Sequence, residues 1–229
     1  MKTSLLSDLQ QARQQKRQVV LATNLISGAQ SLLYPFETKD NSEILDAARN
    51  ALTGDKPATV ETADGDVFLN IFNPPLRLFI VGAVHIAQSL APIAAEAGYD
   101  VTVIDPRRSF GSDFRFPAIS LDGRWPDESL AEANIDRRSA IITLTHDAKL
   151  DDPALEHALK SDAFYIGALG STRTHSKRHQ RLAKKGFEER DFARIHGPIG
   201  LDIGAKSPAE IAISVMAEMT AVLRQKALK

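Results

Sequence analysis

The sequence predicts an α/β fold in which a doubly wound, mostly parallel sheet follows a small N-terminal α+β module. Residues 77–105 give the first indication: an apolar run of strand length precedes Gly82, a helical pattern ends at Gly98, and a second apolar run follows. Strand and helix patterns alternate from there towards the C terminus, as they do in doubly wound sheets. The two prolines at 74–75 are typical of a linker, and they separate this region from the module.

We place the boundary at this linker, with the module at residues 1–75 and the doubly wound domain at 76–229. In the module the patterns predict a helix over 4–15, strands near 18–22 and 32–34, a helix from Asn41 or Ser42 to Gly54, and a hairpin formed by ATVET and DVFLNIF. In the domain, after 77–105, they predict a segment at 116–121, a helix over 126–134 and a strand at 140–145. A helix to Lys160 follows, capped by Asp152 with Pro153 in its first turn. The remaining predicted elements are a strand at 164–167, a basic helix to Lys185, and a last helix that starts in the capping box Ser207-Pro208-Ala209-Glu210.

Composition narrows the classes of function. The 229 residues carry a formal net charge of -1 with 25% charged residues, so an overall basic surface for nucleic acid is not favoured. The chain has no cysteine, which excludes disulfides, thiol nucleophiles and thiolate metal sites within it. No apolar run approaches the 18 or more residues of a membrane span. We therefore expect a soluble cytoplasmic protein without a membrane or nucleic-acid partner.

The glycine turn after the first strand of the domain is the first candidate site. The dinucleotide fingerprint Gly-x-Gly-x-x-Gly/Ala would fall on GAVHIA at 82–87, and Val84 replaces its middle glycine. That side chain should hinder the approach of a pyrophosphate to the backbone. Asp105, after the second strand, is placed to accept ribose hydroxyls. The alternative is that Gly82 only turns the chain and Asp105 caps the following loop.

The second candidate is GALGSTRTHSKRHQRLAKK at 167–185. Its last fifteen residues hold six Lys or Arg, two His and no acid, which is unfavourable at a helix N-terminus that already carries partial positive charge. Gly170 and Ser171 leave backbone amides at the helix start, and the next turn contains Arg173, Thr174 and Lys177, so we expect a phosphate there. A solvated basic face is the alternative, and it is the preferred interpretation for Arg181, Lys184 and Lys185.

Two further candidates are the strand end at 143–147 and the loop at 196–202. His146 and His196 are candidate proton donors or oxygen binders, or else structural histidines. Asp147 and Asp202 either order the adjacent loops or hold a cation. The sequence has no metal-ligand spacing, no nucleophile elbow and no P-loop, and it does not indicate a catalytic triad.

Four segments together resemble a known family: IVGAVHIAQSLAPIAAEAGYDVTVIDPR, LTHDAKLDDPAL, FYIGALGSTRTHSKR and RIHGPIGLDIGAKSPAEIAISVMAE. They are similar, in the same order and over about 77–223, to the C-terminal Rossmann domain of the XdhC/CoxI family, accessory factors for xanthine and carbon monoxide dehydrogenases. The resemblance implies a Rossmann-like protein that binds the molybdenum cofactor (molybdopterin), protects it during sulfuration and delivers it to a molybdenum hydroxylase, usually as a homodimer. A sulfurtransferase is a further implied partner.

The sequence departs from this family in two ways. Family members usually have glycine where Val84 stands, and many have a longer N-terminal domain with cysteine-containing loops, whereas residues 1–75 are short and lack cysteine. Any thiol-dependent step would therefore need a partner protein or a changed role. We expect a binding and delivery factor without turnover of its own, and no metal site.

The cofactor-binding residues that we predict from the four candidate segments and the resemblance are Gly82, Ala83, His85, Asp105, Arg107, Thr145, His146, Gly167, Gly170, Ser171, Arg173, Thr174, Lys177, His196, Gly197, Gly200 and Asp202. In this hypothesis Gly170, Ser171 and Arg173 hold the phosphate and the loop at 196–202 closes the site. Two other functions stay open: an NAD(P)-dependent oxidoreductase with Asp105 on the ribose and His146 or His196 as acid, and a regulatory module that senses a nucleotide.

Overall fold

A computed structural model describes residues 3–107 and 109–224. The chain divides into two compact units, Met1–Pro74 and Pro75–Lys229. Within the described residues no helix is both long enough and apolar enough to cross a membrane.

The first unit packs two helices with an antiparallel sheet. Its elements are α1 (Thr3–Gln14), β1 (Val19–Asn24), β2 (Gln30–Leu33), α2 (Glu43–Gly54), β3 (Ala58–Val60) and β4 (Val67–Phe72). The four strands lie in the order β2-β1-β4-β3. The predicted hairpin is confirmed, since Val60 of β3 pairs with Val67 of β4. Alternating strand residues, Val20 and Leu69 among them, pack against Ala48 and Leu52 of α2 and form the core of this unit.

The second unit alternates strands and helices around a parallel sheet. Its elements are β5 (Leu76–Val81), α3 (His85–Glu96), β6 (Tyr99–Ile104), β7 (Ser120–Asp122), α4 (Pro126–Glu132), β8 (Ser139–Thr143), α5 (Ala148–Leu159), β9 (Tyr165–Ala168), α6 (Thr172–Ala183), α7 (Glu189–Phe192), β10 (Ile195–His196) and α8 (Pro208–Leu223). The strand order is β10-β9-β8-β5-β6-β7, and all five pairings are parallel. The predicted α/β fold with a small α+β module is thereby confirmed.

The strand order creates a topological switch point beside β5. Counted from the β7 edge, the strands run third, second, first, fourth, fifth and sixth along the chain, which is the order of dinucleotide-binding sheets. Val81, the last residue of β5, lies opposite Ile104 on one side and Thr143 on the other. Because the chain leaves β5 and β8 towards opposite sides of the sheet, a crevice is expected between their carboxyl ends.

The strands of this sheet are apolar on both faces because each face is covered. Leu78 and Ile80 of β5 belong to the core shared with α3 and α8, whereas Phe79 and Val81 belong to the core shared with α5 and α6. This two-sided burial explains why β5 and β8 read as continuous apolar runs rather than alternating ones.

The predicted start of α5 was wrong. The helix begins at Ala148, five residues before Pro153, and its N-cap is Asp147, whose carboxylate accepts a hydrogen bond from the Lys149 amide at 2.9 Å. Pro153 lies inside the helix, where its missing N–H removes one helical hydrogen bond. Asp152 binds Arg181 instead of capping the helix. By contrast, the capping box at the start of α8 is confirmed.

Candidate functional site

The predicted site residues lie along one edge of the parallel sheet. They follow β5, β6, β8, β9 and β10 at their carboxyl ends, apart from Gly167 within β9 and His196, the last residue of β10. Since the order in the sheet is β10-β9-β8-β5-β6, the five loops lie side by side, with the β8 and β5 loops in the centre. Ligands of open α/β sheets bind at this edge.

Gly82 permits a close approach between the β5 and β8 loops. Its φ is +113°, and a Cβ atom at this position would lie 2.7 Å from Cγ2 of Thr145. Any side chain would therefore meet both backbone strain and a steric clash. The next residue, Ala83, donates its amide hydrogen to Oδ2 of Asp105 at 2.8 Å. His85, predicted as a site residue, is the first residue of α3, and it is exposed.

Asp105 is buried, and its carboxylate is fully engaged by the chain. Oδ1 accepts hydrogen bonds from the amide and Nε of Arg107 at 3.0 and 2.8 Å, and Oδ2 accepts from the Arg107 guanidinium and from Ala83, both at 2.8 Å. Burial acts to raise the pKa of Asp105, but these hydrogen bonds outweigh it and the pKa lies below its usual value. A ribose hydroxyl, as predicted from the sequence, would have to compete with Arg107.

A cavity of about 100 Å³ adjoins Asp105 at the ends of β5, β6 and β7. It is lined by Ala83, Val103, Asp105, Gly111, Leu121, Asp122 and Gly123. Asp122 accepts hydrogen bonds from Arg124 and Ser129, and the pKa of its carboxyl is lowered to about 2, mainly by the hydrogen bond from Arg124. Both carboxylates beside the cavity are thus charged and held in place at neutral pH.

The β8 loop is organised around the hydroxyl of Thr145. This hydroxyl donates to Oδ1 of Asp151 at 2.6 Å and accepts from the amide of Asp147 at 3.0 Å. His146, between Thr145 and Asp147 in the chain, has a φ of +61°, and its side chain is exposed. The loop therefore presents an imidazole at the switch point while Asp147 caps α5 and orders the loop, one of the two roles predicted for it.

The β9 loop leads into α6 through Gly170 and Ser171. Gly170 has a φ of +146°, and a Cβ there would lie 2.9 Å from Cγ2 of Thr174. The hydroxyl of Ser171 accepts from the Thr174 amide at 3.3 Å and caps the helix. The first amides of a helix have no partner within it, so this terminus offers donors to an anion. Arg173 and Lys177 are exposed in the first two turns.

The other cations of α6 divide into two groups. Arg181 binds the carboxylate of Asp152, with NH2 to Oδ1 at 2.8 Å, and Lys185 lies 3.8 Å from Glu156. These contacts with α5 fit the interpretation of a solvated basic face. Arg178, in contrast, is 1% exposed and was not singled out from the sequence.

The guanidinium of Arg178 lies beneath the β9 loop. It donates to the carbonyl oxygen of Leu169 at 2.9 Å, contacts Nδ1 of His175 at 3.2 Å, and lies 3.7 Å from Oδ2 of Asp151. Burial raises the pKa of Asp151, and the hydrogen bond from Thr145 and the charge of Arg178 oppose this. The spacing of His175, Arg178 and Leu182 on one helix face is a signal from which burial could have been predicted.

The β10 loop is anchored by Glu218, which the sequence prediction also missed. Its carboxylate accepts hydrogen bonds from the Tyr165 hydroxyl and, at 2.9 Å, from the Gly200 amide, and it lies 3.3 Å from Nδ1 of His196. His196 also stacks on Tyr165, with ring centroids 4.6 Å apart. The sequence does contain one indication of this role, because Glu218 is an acidic residue four positions after Ser214 on the otherwise apolar face of α8.

Three other predicted residues lie on β9 and in the β10 loop. Gly197 contacts the ring of His175, where a Cβ would overlap the imidazole, and Gly167 is similarly close to Ile199. Asp202 is exposed on the loop. Across residues 3–107 and 109–224, no group of three or more His, Asp or Glu side chains is arranged to hold a metal ion.

The sheet order and the alternation of strands and helices define a Rossmann-type domain, a class whose members bind ligands at the carboxyl edge of the sheet. Among such domains, the family described as the XdhC Rossmann domain matches residues 78–219. The chain belongs to this family, and the resemblance noted from the sequence is confirmed.

Two curated relatives carry names that refer to molybdenum enzymes. The chain is 36% identical over 151 residues to the molybdenum cofactor insertion chaperone PaoD of Escherichia coli (strain K12), a match that covers 66% of the chain and 41% of PaoD. It is 32% identical over 155 residues to a probable xanthine dehydrogenase subunit from Bacillus subtilis (strain 168), covering 67% and 45% respectively. The match thus spans less than half the length of each of these relatives.

A solved structure shares the fold. The crystal structure of a xanthine dehydrogenase from Bacillus halodurans superposes with a TM-score of 0.69, covering 98% of this chain and 68% of that one. The two sequences are 22% identical, so the likeness concerns the fold.

Proposed function

We propose that this protein is a maturation factor for molybdenum enzymes, which binds the molybdenum cofactor and assists its insertion into an enzyme of the xanthine dehydrogenase type. The observation that carries the proposal is the 36% identity to a molybdenum cofactor insertion chaperone. The matched length is that of the Rossmann-type domain, and the candidate site lies in this domain.

The residues at the sheet edge fit the phosphate of a pterin cofactor. The start of α6 combines backbone amides with the exposed cations Arg173 and Lys177, and the lack of a side chain at Gly170 lets the backbone turn there. The exposed imidazole of His146 and the half-buried one of His196 flank this terminus on the β8 and β10 loops. The two cations and the backbone amides are suited to a dianionic phosphate, and the two imidazoles are suited to polar atoms of the pterin ring.

The chain has no thiolate for the metal end of the cofactor. Because it contains no cysteine, a sulfur ligand to molybdenum would come from the cofactor itself or from a partner protein. We accordingly propose that this chain holds the phosphate and pterin end, and that a sulfurtransferase and the client enzyme act on the exposed metal end. The homodimer implied by the family stays a prediction, which the elution volume in gel filtration tests.

A retention experiment tests the proposal. The purified chain is incubated separately with molybdenum cofactor, NAD and NADP, passed over a gel-filtration column, and analysed by mass spectrometry. We expect the molybdenum cofactor to co-elute with the protein. Retention of NAD or NADP alone, with reduction of a substrate, would support an oxidoreductase, and retention of none of the three would leave no basis for a carrier.

A transfer experiment tests the second half of the proposal. The loaded chain is mixed with a cofactor-free enzyme of the xanthine dehydrogenase type, and molybdenum in the enzyme is measured after separation. The chain should raise the rate of loading above that of free cofactor. An equal rate with and without the chain would contradict an insertion role even if the cofactor is retained.

A further inference from the structure

A buried polar relay connects three of the loops at the candidate site. It runs from Thr145 in the β8 loop to Asp151, then to Arg178, and from there to Leu169 in the β9 loop and His175 on α6. None of Asp151, Arg178 and His175 belongs to the binding residues predicted from the sequence. The relay is therefore an arrangement that only the fold brings together.

The first part of the relay joins the β8 loop to α6. Asp151 receives two hydrogen bonds from Thr145, from the hydroxyl at 2.6 Å and from the amide at 3.3 Å, through its Oδ1 atom. Its Oδ2 atom faces the Arg178 guanidinium at 3.7 Å, and both side chains are only 2% exposed. In such buried surroundings the attraction between opposite charges is weakly screened, so a displacement of either residue is costly.

The second part joins α6 to the β9 and β10 loops. Arg178 donates to the Leu169 carbonyl, two residues before the cap of α6, and to Nδ1 of His175. Because guanidinium can only donate, Nδ1 of His175 is the acceptor and its proton lies on Nε2, where it points to Nε2 of His179 at 3.1 Å. The fixed His175 ring lies directly against Gly197 of the β10 loop.

From these contacts we infer that Arg178 is a positioning residue that holds the β8, β9 and β10 loops as one unit. The partners described above for its guanidinium all lie outside the predicted ligand-binding set. It sets the relative placement of His146, the start of α6 and the β10 loop through Thr145, Leu169 and His175. The effect on ligand affinity rests on the proposed function, whereas the coupling of the loops does not.

Hydrogen exchange of the full chain tests the coupling directly. Arg178→Met removes the relay, and Arg181→Met is the matched control, since Arg181 lies on the same helix and binds the neighbouring Asp152. In Arg178→Met we expect exchange to accelerate about tenfold or more at both 144–147 and 196–201, with β5 at 76–81 unchanged. In Arg181→Met both loops should exchange as in the wild type.

Two results would overturn the inference. One is acceleration confined to α6, and the other is a similar acceleration throughout, including β5, which would indicate a general loss of stability. If Arg178→Met does not fold, Asp151→Asn replaces it: the amide still accepts from Thr145 but loses its charge towards Arg178. Faster exchange at 169–172 and 196–201, remote from residue 151, is then expected, and unchanged exchange there contradicts the relay.

Retention of the molybdenum cofactor provides the second readout. Arg178→Met should weaken retention at least about fivefold, and Arg178→Lys, which keeps the charge but serves fewer acceptors, should recover part of it. Equal retention in Arg178→Met and the wild type would show that the relay does not position the ligand. If the wild type retains no cofactor, the proposed function fails, while the exchange data still decide whether the three loops are coupled.

Discussion

The carboxylate of Glu218, on α8, accepts a hydrogen bond from the hydroxyl of Tyr165, on β9, 53 residues earlier in the chain. The same carboxylate accepts the amide hydrogen of Gly200 and faces His196. One buried acid therefore holds α8, β9 and the β10 loop together. This explains why a charged residue occurs on the apolar face of α8.

Glu218→Leu should destabilise the protein by about 2 kcal/mol, because the buried Tyr165 hydroxyl and the half-buried Gly200 amide lose their acceptor. Burial acts to raise the pKa of Glu218, but hydrogen bonds from His196, Tyr165 and Gly200 outweigh it and lower the pKa. Its stabilising effect is thus present above the pKa of the unfolded chain and is lost as pH falls through the lower folded value. Urea unfolding at pH 7 and pH 3.5 measures both effects. A difference between variant and wild type that is as large at pH 3.5 as at pH 7 would contradict the assignment.

Gly82→Ala should also destabilise the protein, for two separable reasons. The positive φ costs roughly 1–2 kcal/mol for a residue with a Cβ, and the new Cβ would lie 2.7 Å from Cγ2 of Thr145. Thr145→Ser removes that methyl group but keeps the hydroxyl that binds Asp151. In a double-mutant cycle, Thr145→Ser should therefore recover part of the loss. Strict additivity of the two changes would show that the Cβ at position 82 does not clash with the methyl group of Thr145.

Stability should fall between pH 6.5 and pH 4 because of His175. Burial, with smaller contributions from His179 and Arg178, lowers the pKa of His175 to about 4. The unfolded chain then binds a proton that the folded chain does not, so acidification through this window favours unfolding, by on the order of 2 kcal/mol. Thermal unfolding of the wild type and of His175→Gln across this range checks the prediction. If the two proteins lose stability in parallel, another group is responsible.

Arg173→Ala should weaken retention of an anionic cofactor without affecting the fold, since Arg173 is exposed at the start of α6. Arg181→Ala is the control: it also removes one positive charge from α6, but that charge is paired with Asp152. A titration with inorganic phosphate, followed by heteronuclear NMR, compares the two variants with the wild type. Equal affinities in all three would remove Arg173 from the site.

The fold could be predicted from the sequence because its signals are local. Gly82 and Gly98 delimit β5, α3 and β6, both strands are rich in apolar residues, and the capping box fixes the start of α8. The start of α5 was mispredicted because Asp152-Pro153 has the residue types of a helix N-cap followed by a first-turn proline. The helix begins earlier, at Ala148, with Asp147 as its N-cap. Pairing of Asp152 with Arg181, on a different helix, is not encoded in the neighbouring residues.

The position of the candidate residues along the sheet edge could be predicted from the sequence, but the contacts among them could not. Strand ends of a parallel sheet meet at one edge, so the sequence alone was enough to bring Gly82, Thr145 and Gly170 to it. The partners of Arg178 and Glu218 depend on which residues the tertiary fold buries opposite them. The sequence of a basic run such as 171–185 predicts a single exposed face, although Arg178 within it lies in the interior.

The order of the strands has a consequence for the nascent chain. β5 is paired on one side with β6, which follows it closely, and on the other with β8, which begins at Ser139. While the ribosome is still translating the residues between them, one edge of an apolar strand has no neighbour in its own sheet. A polypeptide that stops before Ser139 would keep this edge open to pairing with other chains, so a truncation there would favour aggregation as well as remove the β8, β9 and β10 loops of the candidate site.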